Sequence, residues 1–195
     1  MIKALKNLNL SQDIDECKWS GAVNFLFVRD YLLLIKRSET MPTHAGQVAF
    51  VGGHKSIEDE SSIETALREL EEETGVQSKD IEVIGIIRPV YTSMKKSIIP
   101  VISYIDKDPH EFLRDIKSNG EWNDAYLVPI EYLEDKERWS FGKSYYQESS
   151  YKIRFCPLVS HTILSKSGMA KIDLLWGATA RMIWNFFKYH YVDDK

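Results

Sequence analysis

Residues 61–76 read SSIETALRELEEETGV, and this stretch decides the fold class because it carries the start and stop signals of one helix. Ser61 and Glu64 form a capping box, in which the two side chains satisfy free backbone N–H groups at a helix start. Gly75 is typical of the left-handed residue just past a helix end. We therefore expect a helix over about Ser62–Thr74.

This helix has an apolar face and an acidic face. Its apolar residues recur at helical spacing and form one stripe that should face the core: Ile63, Ala66, Leu67 and Leu70. Glu69, Glu72 and Glu73 lie at i, i+3 and i+4, so their carboxylates converge on one patch, whereas Glu71 projects elsewhere. Like charges so placed repel, and a hard divalent cation would turn that repulsion into attraction. The pattern favours a metal site over a solvated acidic face, with Gly52–Gly53 forming a tight turn beside the ion.

Apolar runs elsewhere in the chain predict a sheet. Gly21–Val28 and Tyr31–Ile35 are expected to form a hairpin, and Arg88–Ser97 is polar enough to be a loop. A second amphipathic helix is expected over about Gly177–His190. Helices packed on a mixed sheet follow from this arrangement. Further strands are predicted at Gln47–Val51, Ile81–Ile87, Ile98–Ile105, Tyr126–Ile130 and Tyr151–Phe155.

Length and composition indicate a single domain over residues 1–195. Hydrophobic residues make up 44% of the chain and charged residues 28%, which is too apolar for a disordered protein. A net charge of −4 argues against a dedicated nucleic-acid binder. Cys17 and Cys156 are too few for a disulfide framework, so we expect reduced thiols and a cytoplasmic protein. No apolar run reaches the roughly 20 residues that span a bilayer, so no membrane partner is expected.

The acidic helix and the glycine pair before it resemble the Nudix box, written G-x5-E-x7-R-E-U-x-E-E-x-G-U with U an apolar residue. The gap between Gly53 and Glu60 is one residue longer than in the common form, and this longer gap is typical of the coenzyme A pyrophosphatase subgroup. The positions that carry the resemblance are Gly53, Glu60, Arg68, Glu69, Leu70, Glu72, Glu73, Gly75 and Val76.

Stretches outside the box extend the resemblance to about Leu32–Phe187. Residues 44–53, HAGQVAFVGG, are similar to the subgroup's G-Q-x-x-F-P-G-G signature. Residues 121–133 are similar to its E-V-x-x-x-x-x-V-P-L-x-x-L stretch, and residues 175–181 to its W-G-x-T-A-x-x helix start. The subgroup usually has Arg in place of Pro42 and Pro in place of Val51, so the resemblance supports the reaction type more strongly than the substrate.

The resemblance implies an α/β (α+β) fold, the Nudix α/β/α sandwich with a mixed β-sheet. It also implies Mg²⁺ or Mn²⁺ held by four groups of the box, namely the carboxylates of Glu69, Glu72 and Glu73 and the carbonyl of Gly52. Glu60 and Gly75 would be structural, with Glu60 tying the loop to the helix start. Members of the family are often dimers, which leaves a homodimer open.

The resemblance also gives chemical roles to Arg68, Glu73 and Glu121. Arg68 would orient a neighbouring carboxylate, since its planar fork can pair with one. Either Glu73 or Glu121 would take the proton of the attacking water, and a surface role for Glu121 is an equal alternative. Asp124 is a weaker candidate close to Glu121 in sequence.

Several residues are candidates for contact with a nucleotide substrate. Lys95 and Lys96 lie in the predicted loop and are candidates for a 3′-phosphate, although a surface role is the commoner one for such pairs. Tyr91, Trp122 and Trp139 are candidates for stacking on adenine, although aromatic residues more often serve the core. His44 and Gly53 are expected to lie near the substrate phosphates.

The reaction that the resemblance implies is the hydrolysis of a nucleoside diphosphate linked to a second moiety. The first substrate is coenzyme A or its thioesters, which would give 4′-phosphopantetheine and adenosine 3′,5′-bisphosphate. NADH, ADP-ribose, a nucleotide sugar or a dinucleoside polyphosphate is the alternative. A non-catalytic nucleotide-binding domain is a third possibility, and it predicts loss of box carboxylates, none of which is lost here.

Overall fold

A computed structural model describes residues 2–8, 10, 19–92, 96–146, 149–159, 162–168 and 172–189. Two long helices and three short ones occur in these residues. Two short 3₁₀ helices also occur, at Ser78–Asp80 and Lys136–Arg138. The helices are α1 (Ile2–Lys6), α2 (Ser62–Thr74), α3 (Pro109–Asp115), α4 (Ile130–Glu134) and α5 (Gly177–Tyr189).

The strands form two sheets within the described residues. They are β1 (Gly21–Val28), β2 (Tyr31–Arg37), β3 (Val48–Ala49), β4 (Val51–His54), β5 (Glu82–Ile86), β6 (Val90–Tyr91), β7 (Ser97–Ile105), β8 (Trp122–Pro129), β9 (Ser140–Tyr146), β10 (Ser149–Val159), β11 (Leu164–Ser165) and β12 (Ile172–Leu175). The larger sheet has the order β11-β8-β2-β1-β7-β5, with β3, β4 and β6 paired to β2, β1 and β7. The smaller sheet has the order β12-β10-β9.

The larger sheet is mixed, as the sequence predicts. Strands β1 and β7 run parallel from Gly21 beside Ile98 to Val28 beside Ile105. The other pairs in this sheet are antiparallel, and β1 and β2 form the predicted hairpin.

Alternate residues of β1 divide the core between the two faces of the sheet. Leu26 and Val28 pack with Leu70 of α2 and with the apolar residues of α3. Phe25 and Phe27 pack on the other face, where Phe186 of α5 contacts both rings at centroid distances of 4.8 and 5.7 Å. A period of two along the strand therefore places helices on both faces, which gives the predicted α/β/α sandwich.

Two sequence predictions need correction and one strand was not predicted, because all three features depend on contacts that are not local. The segment Arg88–Ser97 is not entirely a loop, since it contains β6 and the first residue of β7. The glycine pair Gly52–Gly53 does not form a turn: both residues lie inside β4, paired with Val23 and Ala22 of β1. Strand β9 was not predicted, and it holds the long strand β10 through backbone pairing from Ser140 to Tyr146.

Cys156 is a free, buried thiol, and burial raises its pKa to about 12. Cys17 lies outside the described residues. In the described parts of the chain, no helix combines the length and the apolar character that crossing a membrane requires.

Candidate active site

Helix α2 begins and ends at the predicted residues. The Glu64 N–H donates to the Ser61 hydroxyl at 3.1 Å, and Gly75 has a φ of 75° with its N–H donating to the Glu71 carbonyl. The second half of the capping box differs from prediction, because the Glu64 carboxylate accepts from the N–H of Glu60 at 2.7 Å. Glu60 therefore ties the loop to the helix through its backbone, while its side chain is exposed.

The apolar stripe of α2 is narrower than predicted. Ala66 and Leu70 are fully buried, and Ile63 packs at the edge of the core. Leu67 is only partly buried and lines an open groove of about 490 Å³ on the outer side of the helix. Two residues of the predicted four therefore carry most of the contact with the sheet.

The glycine pair in β4 lets α2 lie against the strand at very short range. A Cβ atom on Gly53 would lie 2.3 Å from the Glu69 carboxylate, so this carboxylate occupies the space a side chain would need. A Cβ atom on Gly52, whose φ is 149°, would lie 2.4 Å from the Ala22 carbonyl oxygen. Only glycine at these two positions allows the present packing.

Glu73 is the most unusual carboxylate of the site, because its side chain is 1% exposed. Its Oε1 accepts a hydrogen bond from the Gly52 N–H at 3.0 Å. Its Oε2 is buried and has no hydrogen-bond partner among the described residues. Burial raises the pKa of Glu73 to about 8, and the charges of Glu121 and Glu69 add to the rise.

Glu69 and Glu72 differ from Glu73 in exposure and in partner. The Glu69 side chain is 16% exposed, the Glu72 side chain is 56% exposed, and each lies 3.0 Å from Nη1 of Arg68. Burial raises the pKa of Glu69, and the neighbouring Arg68 charge opposes that rise. Arg68 therefore holds two of the three carboxylates.

Asp59 is the main anchor of Arg68, and the sequence reasoning missed it. The Arg68 Nε and Nη2 atoms each donate to the Asp59 carboxylate at 3.0 Å in a two-pronged contact. Ser56 and Thr65 donate to the same carboxylate at 2.7 and 2.9 Å. The Arg68 hydrogen bonds, with those of Ser56 and Thr65, lower the pKa of Asp59 to about 2. The orienting role predicted for Arg68 thus has a buried partner.

The three box carboxylates do not meet at one point. Among the described residues, no group of three or more His, Cys, Asp or Glu side chains forms a ready metal cage. Glu69 and Glu72 turn toward Arg68, while Glu73 is held by the backbone of β4. Helical spacing places the three carboxylates on one side of α2, where Arg68 pairs with two of them, and their role as a metal site stays a prediction.

The donor set nevertheless fits a hard divalent cation. Oxygen ligands suit such ions, and Oε2 of Glu73 is a buried carboxyl oxygen without a hydrogen-bond partner among the described residues. Glu69 lies near enough to raise the pKa of Glu73 by its charge. These two carboxylates, with the exposed one of Glu72, are the residues that would hold the ion.

Glu121 belongs to this site, whereas Asp124 does not. Glu121 precedes β8, and its charge raises the pKa of both Glu69 and Glu73. Asp124 is buried on the opposite face of the sheet, where Ser165 and Ser167 donate hydroxyl hydrogen bonds to it at 3.0 and 2.6 Å. Asp124 therefore ties β8 to the turn after β11.

The predicted substrate contacts are spread along one end of the sheet. His44 is exposed, with a φ of 57°, and its Nδ1 lies 3.1 Å from Oε1 of Gln47. Lys96 is partly buried just before β7, and its N–H donates to the Thr92 hydroxyl. Lys95 lies outside the described residues.

Two of the three aromatic candidates cannot stack on a base. Trp122 and Trp139 are buried, and their indole N–H groups donate to the Glu73 and Leu133 carbonyls at 2.8 and 2.9 Å. Tyr91 in β6 is 58% exposed.

Comparison with known proteins places this geometry in a family. A family model described as the NUDIX domain matches residues 18–148, which is more than half of the chain and includes the whole acidic helix. The chain belongs to the NUDIX family. The glycine pair, Arg68 and the carboxylates of α2 are therefore its Nudix box.

Curated relatives match around the box. A protein of Escherichia coli K12 called uncharacterized Nudix hydrolase NudL is 44% identical over 77 residues, which is 40% of this chain and 40% of that protein. A protein of the same name from Yersinia enterocolitica is 42% identical over 74 residues, 38% of each chain. The matched segment thus spans about two fifths of the length of these relatives.

Solved structures similar to this chain have lower sequence identity. A MutT/nudix family protein from Enterococcus faecalis is 19% identical, with a TM-score of 0.48, over 88% of this chain and 62% of that one. The NUDIX domain of Shewanella oneidensis NrtR, solved with ADP-ribose, is 20% identical with a TM-score of 0.42. That comparison covers 63% of this chain and 80% of the NrtR domain.

Proposed function

We propose that this Nudix protein is a metal-dependent hydrolase of a diphosphate that joins a nucleoside to a second moiety. The observation that carries the proposal is Glu73, a buried carboxylate with one oxygen unpartnered among the described residues and with a raised pKa, beside the Nudix glycines. Perturbed carboxylates of this kind are typical of catalytic sites. Nudix hydrolases generally need divalent metal ions.

Mg²⁺ or Mn²⁺ would be held by Glu69, Glu72 and Glu73, with the Gly52 carbonyl assisting. When bound, such an ion neutralises phosphate charge and lowers the pKa of bound water. Glu72 is the carboxylate freest to move, because its contact with Arg68 is an exposed ion pair worth under about 1 kcal/mol. Arg68 keeps its orientation through Asp59 when Glu72 leaves it.

The chain's own residues supply proton transfer and positioning. Glu73 is the proposed proton acceptor, because a raised pKa makes its carboxylate a stronger base once the group is ionised. Glu121 is the alternative acceptor, since it lies in the loop before β8 and its charge acts on Glu73. Arg68 fixes the helix against the loop before it, and Gly53 leaves room for the Glu69 carboxylate above β4.

The reaction is a balanced hydrolysis. A water oxygen forms a bond to one phosphorus of the diphosphate, and the bond from that phosphorus to the bridging oxygen breaks. The bridging oxygen leaves with the second phosphoryl group, and the water proton passes to the carboxylate and then to solvent. Both products are phosphate monoesters.

Coenzyme A is the first proposed substrate, giving 4′-phosphopantetheine and adenosine 3′,5′-bisphosphate. Residues 44–53 support this choice through their similarity to the coenzyme A pyrophosphatase signature. Gln47 of that stretch contacts His44 at the end of the sheet that carries the box. Pro42 and Val51 depart from the signature, so NADH, ADP-ribose, a nucleotide sugar or a dinucleoside polyphosphate is the second candidate class.

A parallel assay separates these substrates. Purified protein with Mg²⁺ is tested on coenzyme A, NADH, ADP-ribose and a nucleotide sugar, and kcat/KM is compared. We expect coenzyme A to be at least tenfold better than the others. A coenzyme A value no better than the rest would remove that substrate while leaving the reaction type, and no hydrolysis of any of them would favour a non-catalytic Nudix domain.

A further inference from the structure

Strand β10 directs an arginine toward helix α5. Arg154 lies on the same face of β10 as Cys156 and Leu158, because residues two apart on a strand share a face. Both of these neighbours are fully buried against α5. The cross-strand partner of Arg154 is Phe141, whose ring packs edge-on against Trp184 of α5 at 5.0 Å. Arg154 therefore points into the layer between β10 and α5.

A second arginine meets it from the helix. Arg181 lies one turn before Trp184 on α5, and its Nη2 donates to the Tyr91 carbonyl of β6 at 2.6 Å. Burial lowers the pKa of Arg181, and the charge of Arg154 lowers it further. Two guanidinium groups thus lie near enough to interact within the partly buried layer between β10 and α5.

The described residues offer few hydrogen-bond acceptors to these two groups. Among the described residues, no acidic side chain forms an ion pair with Arg154 or Arg181. The Nε of Arg154 is buried without a hydrogen-bond partner in the described part of the chain. Two like charges in a partly buried layer repel each other, and an anion between them would turn this repulsion into attraction. A planar guanidinium matches a phosphate group in charge and in geometry.

The pair lies at the same end of the large sheet as the Nudix glycines. Val90 of β6 pairs with Ile98 of β7, and Ile98 pairs with Gly21 of β1. Gly21 pairs with His54, which directly follows Gly53. These steps cross three strand spacings, or about 14 Å. Arginine side chains and a nucleotide with two phosphate groups span this distance when the nucleotide lies across the end of the sheet.

We propose that Arg154 and Arg181 form a second anion subsite that binds a phosphate monoester of the substrate, apart from the diphosphate that is cleaved. The attribution of this group to the substrate rests on the proposed function. Coenzyme A carries such a monoester on its ribose, whereas NADH and ADP-ribose do not. The subsite would therefore select coenzyme A, a role that the sequence assigned to Lys95 and Lys96.

Binding of two products or product analogues tests the subsite without any hydrolysis. Adenosine 3′,5′-bisphosphate and AMP both lack a diphosphate bond, and they differ by the one monoester in question. Their dissociation constants are measured by calorimetry in Mg²⁺ buffer for the wild type, Arg154→Gln and Arg154→Lys. Arg29→Gln is the matched control, since it removes a guanidinium at the opposite end of the sheet, where Arg29 pairs with Asp106.

We expect the wild type to bind the bisphosphate at least tenfold more tightly than AMP. Arg154→Gln should weaken bisphosphate binding at least tenfold and AMP binding by less than twofold, Arg154→Lys should be intermediate, and Arg29→Gln should change neither. Inorganic phosphate should compete with the bisphosphate in the wild type and lose this effect in Arg154→Gln. Competition by phosphate without any preference for the bisphosphate would show only a general anion site and would overturn the proposal.

The two proposals fail separately. Equal binding of bisphosphate and AMP by the wild type, or equal weakening of both by Arg154→Gln, overturns the subsite even if coenzyme A is hydrolysed. If Arg154→Gln does not fold, the wild-type preference and Arg154→Lys still decide the matter. A bisphosphate preference that depends on Arg154, in a protein that cleaves no diphosphate, leaves the subsite standing and overturns the proposed function.

Discussion

The carboxyl group of Glu73 lies in surroundings that favour its protonated form in the metal-free protein. In the folded protein the pKa of Glu73 is about 8, above its ordinary value of 4.5. At a pH between these two values, the folded state therefore keeps a proton that the unfolded state has lost. Stability that depends on Glu73 is therefore full below about pH 4.5 and is lost as the pH rises toward 8, by at most about 1.4 kcal/mol per pH unit.

Glu73→Gln should remove this loss, because glutamine keeps an acceptor for the Gly52 N–H and carries no charge. We expect the variant to be more stable than the wild type at pH 8 and similar to it at pH 5. Urea unfolding in a chelating buffer across this range measures the difference. Glu71→Gln is the control, since Glu71 bonds to Gln77 and Ser78 away from the site. If the free energy of unfolding depends on pH in the same way in the wild type and in Glu73→Gln, this result would contradict the raised pKa of Glu73.

Alanine substitution should have different effects at the two glycines of β4. Gly53→Ala should leave the fold nearly as stable, because the group it meets is the end of the flexible Glu69 side chain, but it should weaken Mn²⁺ binding by displacing that carboxylate. Gly52→Ala meets backbone at a φ of 149° and should cost about 2 kcal/mol or more.

Thermal unfolding without metal and a calorimetric Mn²⁺ titration measure both effects. A Gly53→Ala variant that binds Mn²⁺ as tightly as the wild type would show that the position of Glu69 does not matter for the ion.

The contributions of Asp59 and Arg68 to the free energy of unfolding should be strongly coupled. Asp59 is buried and its charge is satisfied mainly by Arg68, so removing either partner leaves an uncompensated group. We expect Asp59→Asn and Arg68→Met each to lower the free energy of unfolding, with a coupling of about 1–3 kcal/mol in the double variant. Urea unfolding at pH 7 measures the cycle.

The exposed contact of Arg68 with Glu72 is the comparison, and Glu72→Gln should couple to Arg68→Met by less than about 0.5 kcal/mol. Equal coupling in the two cycles would mean that Asp59 is not the anchor. Below pH 4 the Asp59 contribution should fade, because its depressed pKa of about 2 means that stability is lost as the carboxylate takes up a proton.

Sequence reasoning located the box residues but not their contacts. Helical spacing places Glu69, Glu72 and Glu73 on one side of α2 correctly, yet it carries no information on the arginine that draws two of them away. Asp59 went unnoticed because it lies nine residues before Arg68 and outside the helix, where no periodic pattern applies. The signal in the sequence that could have indicated Asp59 is its position directly before Glu60, a residue of the Nudix box.

Helix α2 shows which elements sequence can define. Its ends were predicted to the residue because the signals are local: the Ser61 hydroxyl accepts the Glu64 N–H, and Gly75 is left-handed. Strands β6 and β9 were missed because partners elsewhere in the chain, β7 and β10, hold them in place. The sequence predicts a turn at the glycine pair because the pairing of these residues with β1 is equally remote in the chain.

Gly75 ends α2 in a left-handed conformation, so replacing it should measurably lower the stability of the protein. Gly75→Ala should lower the free energy of unfolding by about 1 kcal/mol or somewhat more, because a Cβ atom disfavours a φ of 75° even though the surrounding space is open. Gly75→Asn should cost less, since asparagine tolerates this conformation better. Thermal unfolding of the two variants measures the difference. An alanine variant as stable as the wild type would show that the helix end relaxes freely.

The groups proposed to act on the substrate lie at one end of the large sheet. Each face of this sheet packs against its own hydrophobic core. Helices α2 and α3 cover one face and α5 covers the other, so the Nudix box and the arginine pair approach the same end from opposite sides. We propose that the chain is a single domain, since one buried cluster includes both Leu5 and Phe186. This arrangement would let one substrate contact both faces.

Phosphorus-31 NMR of coenzyme A with purified protein and Mg²⁺ tests the central claim most directly. The account predicts that the diphosphate resonances disappear and that phosphate monoester resonances of two products replace them. Glu73→Gln should slow this at least about 100-fold, while Glu71→Gln should not. Diphosphate resonances that persist in the wild-type sample, for coenzyme A and equally for NADH, ADP-ribose and a nucleotide sugar, would contradict the account.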